Sequence, residues 1–237
     1  MAEPVRHGEV SRIEGFSDAV FAFALTLLVV TLEAPKDVAE LHVLVRGLLP
    51  FAAMFAMVVW IWYEHNIFFR RYGLQDVWTV FLNSVLLFVV LFYVYPLKFL
   101  TMRLLGGVEG GFSTAGESAF VMALYSSGVL TIFATFALLY RHAWGQRAEI
   151  GLTAAEELTL KFSLRSHLIS VSLAALSLAM IMMFVLFGVS GQLAFAGWIY
   201  MLMGPLQAWN GYKAGAAHDA LRKAALAAPV SAPAKQR

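Results

Sequence analysis

From Arg12 to Leu32 the chain reads RIEGFSDAVFAFALTLLVVTL, a short polar opening that runs directly into apolar residues with almost nothing that would turn the backbone. Ser11 and Glu14 precede the run at the spacing of a capping box, in which the Ser11 hydroxyl takes the Glu14 amide and the Glu14 carboxylate reaches back to the Ser11 amide. A helix is predicted to start at Ser11 and to run to about Leu32. At about 1.5 Å per residue it is roughly 30 Å long, the thickness of a bilayer hydrocarbon core.

Five further apolar stretches follow. They cover Leu41 to Phe69 with Pro50 near the entry, Asp76 to Leu100 with Asn83 and Pro96, Glu117 to Tyr140, Leu160 to Gly188, and Gln192 to Tyr212 interrupted by Gly204-Pro205. Pro96 lacks a backbone N–H and is expected to bend or end its helix. The connections are polar or glycine-rich: Glu33 to Glu40, Arg70-Arg71 with Gly73, the glycines from Gly106 to Gly116, Arg141 to Glu157, and Val189-Ser190-Gly191. The pattern predicts an all-α protein with six crossing helices in residues 1–213. Residues 214–237, rich in Ala, Lys and Arg, are expected to form a tail that is partly helical at first and then disordered.

Composition puts this chain in a membrane: 60% of its residues are hydrophobic, 14% charged, and the mean hydropathy is +0.74, against about 45–50% apolar and about 25% charged in soluble domains. The N-terminal run is read as a mature helix and not a cleaved leader, because Glu3, Glu9, Glu14 and Asp18 lie in or before it and no small-x-small site follows. Without cysteine there is no disulfide, thiolate nucleophile or cysteine-bound metal, and a net charge of +2 does not suit nucleic acid. No cofactor is expected. Thirteen of the 17 Lys and Arg fall in or within about two turns of the N-terminal segment, the second and fourth connections and the tail. Both termini are therefore expected on the cytoplasmic side of the plasma membrane, which agrees with an even number of spans.

Asp18 is the residue that the first span must explain, since a carboxylate in a bilayer faces water or the protein interior. Phe16, Phe23, Thr26 or Leu27, and Val30 recur at helical spacing and make one stripe, about 140° from Asp18 around the wheel. In a span that is apolar all round, such a stripe does not by itself locate a pore.

Arg12-x-x-x-Phe16-Ser17-Asp18 opening a first apolar helix resembles the R-x-x-x-F-S-D signature of the transmembrane protein 175 family of potassium channels. The resemblance implies six helices per subunit, a homotetramer, and a pore lined by the first helix of each of four subunits. It carries the constriction to Phe23, the next layer to Thr26 and Leu27, and the last to Val30, with potassium the permeant ion and no resident metal. Phe23 departs from the pattern, since the family usually has Ile or Leu there. The resemblance continues at Trp62-x-x-His65 and at Asn83, and implies a polar network of Arg12, Ser17, Asp18, His65 and Asn83. His65 and Asn83 would then satisfy Asp18 across helices. Arg12 lies within about 20° of the stripe on the wheel, so it reaches either the pore mouth or the network.

Two other readings compete. Gly204-Pro205 and Pro96 would suit the broken helices of a secondary transporter, although one buried acid and no inverted repeat leave little to build a substrate site from. Tyr125-Ser126-Ser127-Gly128 raises an intramembrane serine protease, but Ser and Gly in a membrane helix more often mark close packing. No catalytic residue is expected.

Overall fold

The computed structural model describes residues 10–30, 34–105, 114–189 and 193–227. The expected end of the first helix at Leu32, most of the glycine-rich connection, the Ser190-Gly191 turn and the tail beyond Ala227 lie outside these residues. Among the described residues there is no strand. The helices in chain order are α1 (Arg12–Val30), α2 (Val38–Arg46), α3 (Leu48–Tyr72), α4 (Val77–Leu105), α5 (Ala115–Gly145), α6 (Arg147–Ile150), α7 (Ala154–Leu186), α8 (Ala194–Trp198) and α9 (Met203–Ala227).

Helix α1 begins as its cap dictates, with the Glu14 amide donating to Ser11 Oγ at 3.2 Å. The Glu14 carboxylate accepts from the Ser11 hydroxyl at 3.0 Å, where the Ser11 amide had been expected.

The second predicted span is two helices. Its apolar pattern runs unbroken past Gly47, yet α2 ends at Arg46 and α3 starts at Leu48. Pro50 is the physical reason: it has no N–H to give the Arg46 carbonyl, and its ring would collide with it. As the third residue of α3, Pro50 sits where a missing N–H costs nothing. The same rule shapes the last element. The expected span from Gln192 to Tyr212 is built from α8, a 3-10 turn over Ile199–Leu202, and α9, with Pro205 again third in its helix. Helix α9 then continues without a break past Lys213 to Ala227. Five helices among the described residues, α1, α3, α4, α5 and α7, are long and apolar enough to cross a membrane.

Pro96 does not end its helix, because α4 runs on to Leu105. Alongside it, Tyr125 of α5 donates its hydroxyl to the Pro96 carbonyl. One turn away, the Tyr93 hydroxyl donates to the Leu124 carbonyl at 2.7 Å and meets Ser127 Oγ at 2.9 Å. The Tyr93 ring lies over Gly128 so closely that any Cβ there would overlap it. The Ser-Ser-Gly sequence is therefore a helix contact.

Packing is serial. Helix α1 lies on α3 and α4, α4 on α5, α5 on α7, and α7 on α9. The main core joins Phe21 and Leu28 of α1 to Met54, Phe68 and Phe69 of α3, Leu86 and Val94 of α4, Phe136 and Tyr140 of α5, and Leu160 of α7. At the back of α3, Glu64 approaches His167 of α7 at 4.0 Å, and the imidazole stacks on Phe136 with ring centres 5.1 Å apart.

The turn from α3 to α4 is fixed at both ends. Gly73 takes the left-handed conformation, φ 58°, and its amide closes α3 on the Phe69 carbonyl at 2.8 Å. Asp76 then caps α4 through the Thr79 amide and hydroxyl, and its second oxygen meets His142 Nε2 of α5 at 2.9 Å. Burial opposes ionisation of Asp76, but the hydrogen bonds from Thr79 and His142 outweigh it and bring the carboxyl down to about 2. A carboxyl with a depressed folded value contributes stability that is complete above its ordinary value of about 4 and disappears as pH falls toward 2. The thermal midpoint of the protein in detergent should exceed that of Asp76→Asn above about pH 5, and the gap should close on acidification. A gap that stays constant down to about pH 2 would show that the charge on Asp76 contributes nothing.

Candidate pore-lining site

Helix α1 has two faces with different chemistry. Glu14, Ser17, Phe21, Ala24 and Leu28, spaced three and four apart, are buried against α3 and α4. On the other face Phe16, Phe23 and Val30 are 63%, 56% and 72% exposed in the single chain. Thr26 is exposed there too, and its hydroxyl donates to the Ala22 carbonyl at 2.9 Å, which leaves the oxygen lone pairs facing outward. Leu27 differs from its neighbours in the stripe, being half-buried and packed against the core.

Polar contacts fix which face points inward. Asn83 of α4 donates from Nδ2 to Ser17 Oγ at 2.9 Å, while the Ser17 hydroxyl donates to the Ile13 carbonyl at 2.8 Å. His65 of α3 meets Asn83 Oδ1 through Nε2 at 2.9 Å. An amide oxygen only accepts, so Nε2 carries the proton in this pair. All three side chains are buried, and Phe21 and Phe69 pack their rings on the imidazole at 5.5 and 4.5 Å.

Asp18 is satisfied differently from the expectation. Its Oδ1 accepts from Trp62 Nε1 at 2.7 Å, and it bonds neither His65 nor Asn83. The reason is angular: Ser17 and Asp18 diverge by about 100° on a helix, so one points between α3 and α4 and the other toward the outer side of α3. Trp62 and His65, three residues apart, share a face; Trp62 bonds Asp18 directly and His65 reaches Ser17 through Asn83. That spacing was visible in the sequence. Arg12 is exposed on the uncovered side of α1.

Residues 12–93, which hold α1, α2, α3 and the first half of α4, match the family model described as the endosomal/lysosomal potassium channel TMEM175. A potassium channel of Marivirga tractuosa is 41% identical over 186 residues, covering 73% of this chain and 75% of that protein. The chain belongs to the TMEM175 family. Among solved structures, the potassium channel MtTMEM175, crystallised as a point variant with a nanobody–MBP fusion, superposes with a TM-score of 0.78 at 34% identity. That match covers 90% of this chain and 96% of the other. A lysosomal potassium-selective TMEM175 homologue from Chamaesiphon minutus matches with a TM-score of 0.50 at 25% identity, over 83% and 99% of the two chains.

TMEM175 proteins are channels and not enzymes, and this membership carries the expectation that no residue here is catalytic. Ser127, the serine before Gly128 that a protease would use, donates its hydroxyl to the Leu124 carbonyl at 2.7 Å, and its neighbour Ser126 lies 2.8 Å from Ser177 Oγ, which itself donates to the Ala196 carbonyl. The Ser126 contact joins α5, α7 and α8.

Proposed function

We propose that the chain is one subunit of a homotetrameric, potassium-permeable cation channel in a prokaryotic plasma membrane, with α1 of each subunit lining the pore. The observation that carries this reading is the uncovered stripe of Phe16, Phe23, Thr26 and Val30 on a helix whose opposite face is held by Ser17–Asn83 and Asp18–Trp62. An apolar helix so anchored needs something other than its own bundle against that stripe. Four copies around an axis supply it.

Phe23 is then the constriction, Thr26 and Leu27 the next layer, and Val30 the last. A narrow apolar ring excludes water and blocks ions by dewetting, and a small widening admits partly dehydrated cations. The Thr26 oxygens favour the more weakly hydrated potassium, giving modest discrimination against sodium. Arg12, at the end of the same side of the helix, stands at the pore mouth. No metal beyond the permeant ion and no cofactor is required, and lipid surrounds the assembly.

In this reading residues 193–213 form the sixth crossing segment, residues 1–213 the channel domain, and 214–237 a cytoplasmic extension that begins as the end of α9. Reporter fusions at the N-terminus, after Arg71, near Arg147 and in the tail should all read cytoplasmic, following the distribution of Lys and Arg. A periplasmic signal at either terminus overturns the six-segment topology.

Purified protein in a planar bilayer under a potassium gradient should give ohmic current that reverses close to the potassium equilibrium potential. Substrate-coupled, saturable flux without ohmic current would mean a transporter instead.

A further inference from the structure

Where α4 begins and α5 ends, the structure has an open cavity of about 610 Å³ that the pore does not use. Helix α5 contributes Leu138, Arg141 and His142, which helical spacing places on one face. Trp78 comes from the first turn of α4, and Gln146 and Glu149 from the corner into α6. One wall is preorganised, because Asp76 holds His142 at 2.9 Å and the Gln146 amide lies 3.5 Å from the same ring nitrogen. The entrance is open: a Cβ built on Gly145 meets nothing within 4 Å.

Three kinds of chemistry meet in this cavity. Arg141 and Glu149 are exposed charges of opposite sign, and neither makes an ion pair with another described residue. Beside them, Trp78 is 47% and Leu138 42% exposed, and Phe81 continues the apolar track with its ring stacked on Trp78 at 5.5 Å. Both helices start or finish here, so the cavity sits at the boundary between hydrocarbon and water, the level at which tryptophan is favoured. A soluble anion would need only the cation. A cation, an anion and an apolar track side by side match an amphiphile that carries both charges.

We propose that this cavity binds a membrane phospholipid with a phosphate–ammonium headgroup, of the phosphatidylethanolamine class. The phosphate lies against Arg141, whose guanidinium fork offers paired donors, and the primary ammonium against the Glu149 carboxylate. A choline headgroup has no N–H to donate to Glu149, and a glycerol headgroup leaves the phosphate charge uncompensated, so Glu149 repels that lipid as a whole. Trp78, Leu138 and Phe81 guide the start of the acyl chains. The proposal rests on α4 and α5 crossing the membrane and not on ion conduction, so either can fail without the other.

Native mass spectrometry of the full-length protein, equilibrated with phosphatidylethanolamine, phosphatidylcholine and phosphatidylglycerol of identical acyl chains, tests it. The ethanolamine lipid should be retained about fivefold over each of the others, the effect of one charge contact near a membrane surface. Arg141→Gln should lower retention of all three. Glu149→Gln should abolish the ethanolamine preference and raise retention of the glycerol lipid. Both side chains are exposed, so each variant keeps its fold, which the tetramer mass in the same spectra reports. A wild-type preference for the glycerol lipid, an unchanged lipid order in Glu149→Gln, or unchanged retention in Arg141→Gln would overturn the proposal. Glycerophosphoethanolamine without acyl chains should not displace the lipid; full displacement would mean a soluble headgroup site and not a lipid site.

Discussion

Phe23→Ala should raise the basal potassium current on the order of tenfold while assembly stays intact. The side chain is more than half exposed in the subunit, so truncating it leaves no cavity in the core. In the proposed pore it removes the bulkiest part of the dry ring, and a barrier lowered by only about 1.4 kcal/mol raises passage about tenfold. Phe23→Ser should raise the current further by making the narrowest point wettable, and should bring the potassium-to-sodium permeability ratio toward one, since both ions then pass with their water. Bilayer or whole-cell currents under biionic conditions measure both effects. If Phe23→Ala leaves the current unchanged and Leu25→Ala raises it, the pore lies on the other side of α1.

Phe21→Ala, two residues away, should do the reverse. Phe21 is 2% exposed, packs on the His65 ring and belongs to the core shared by α1, α3 and α4. Phe-to-Ala substitutions at such sites cost about 3–5 kcal/mol, a large part of the stability of a typical domain. The expected outcome is a marked fall in thermal midpoint and loss of the peak of the proposed tetramer in size exclusion, with whatever assembles keeping wild-type selectivity. An intact Phe21→Ala assembly with altered selectivity would reverse the proposed assignment of faces.

These two residues also illustrate how far the sequence could be read. Hydropathy around Arg12–Val30 is nearly uniform, so nothing in the apolar pattern separates Phe21 from Phe23. The polar residues made the separation, because Ser17 and Asp18 had to find partners inside the protein and so fixed the rotation of the helix. His65 and Asn83 were legible as members of that network through the family signature. Asp18 was given the wrong partner, since the angular divergence of adjacent residues was not applied to it, although Trp62 stood three residues before His65. Leu27 was grouped with Thr26, yet the structure turns it partly into the core. The largest differences in helix bounds arose at prolines. Pro50 and Pro205 each forced a new helix two residues upstream, whereas Pro96 was absorbed into α4, next to a tyrosine hydroxyl on its carbonyl. Residue type alone does not distinguish these cases; the neighbouring helix does.

The placement of Glu64 and His65 on α3 limits how such a pore can open. Consecutive residues reach different ways, His65 through Asn83 to α1 and Glu64 toward His167 on α7. Twisting α1 about its own axis would break the Ser17 and Asp18 hydrogen bonds together, and twisting α3 would strip partners from both sides of the bundle. Of the motions available to a packed helix, axial rotation is therefore the most strongly opposed. In the proposed pore, widening the ring of Phe23 side chains is left to tilt or outward translation, with α1, α3 and α4 travelling as one body.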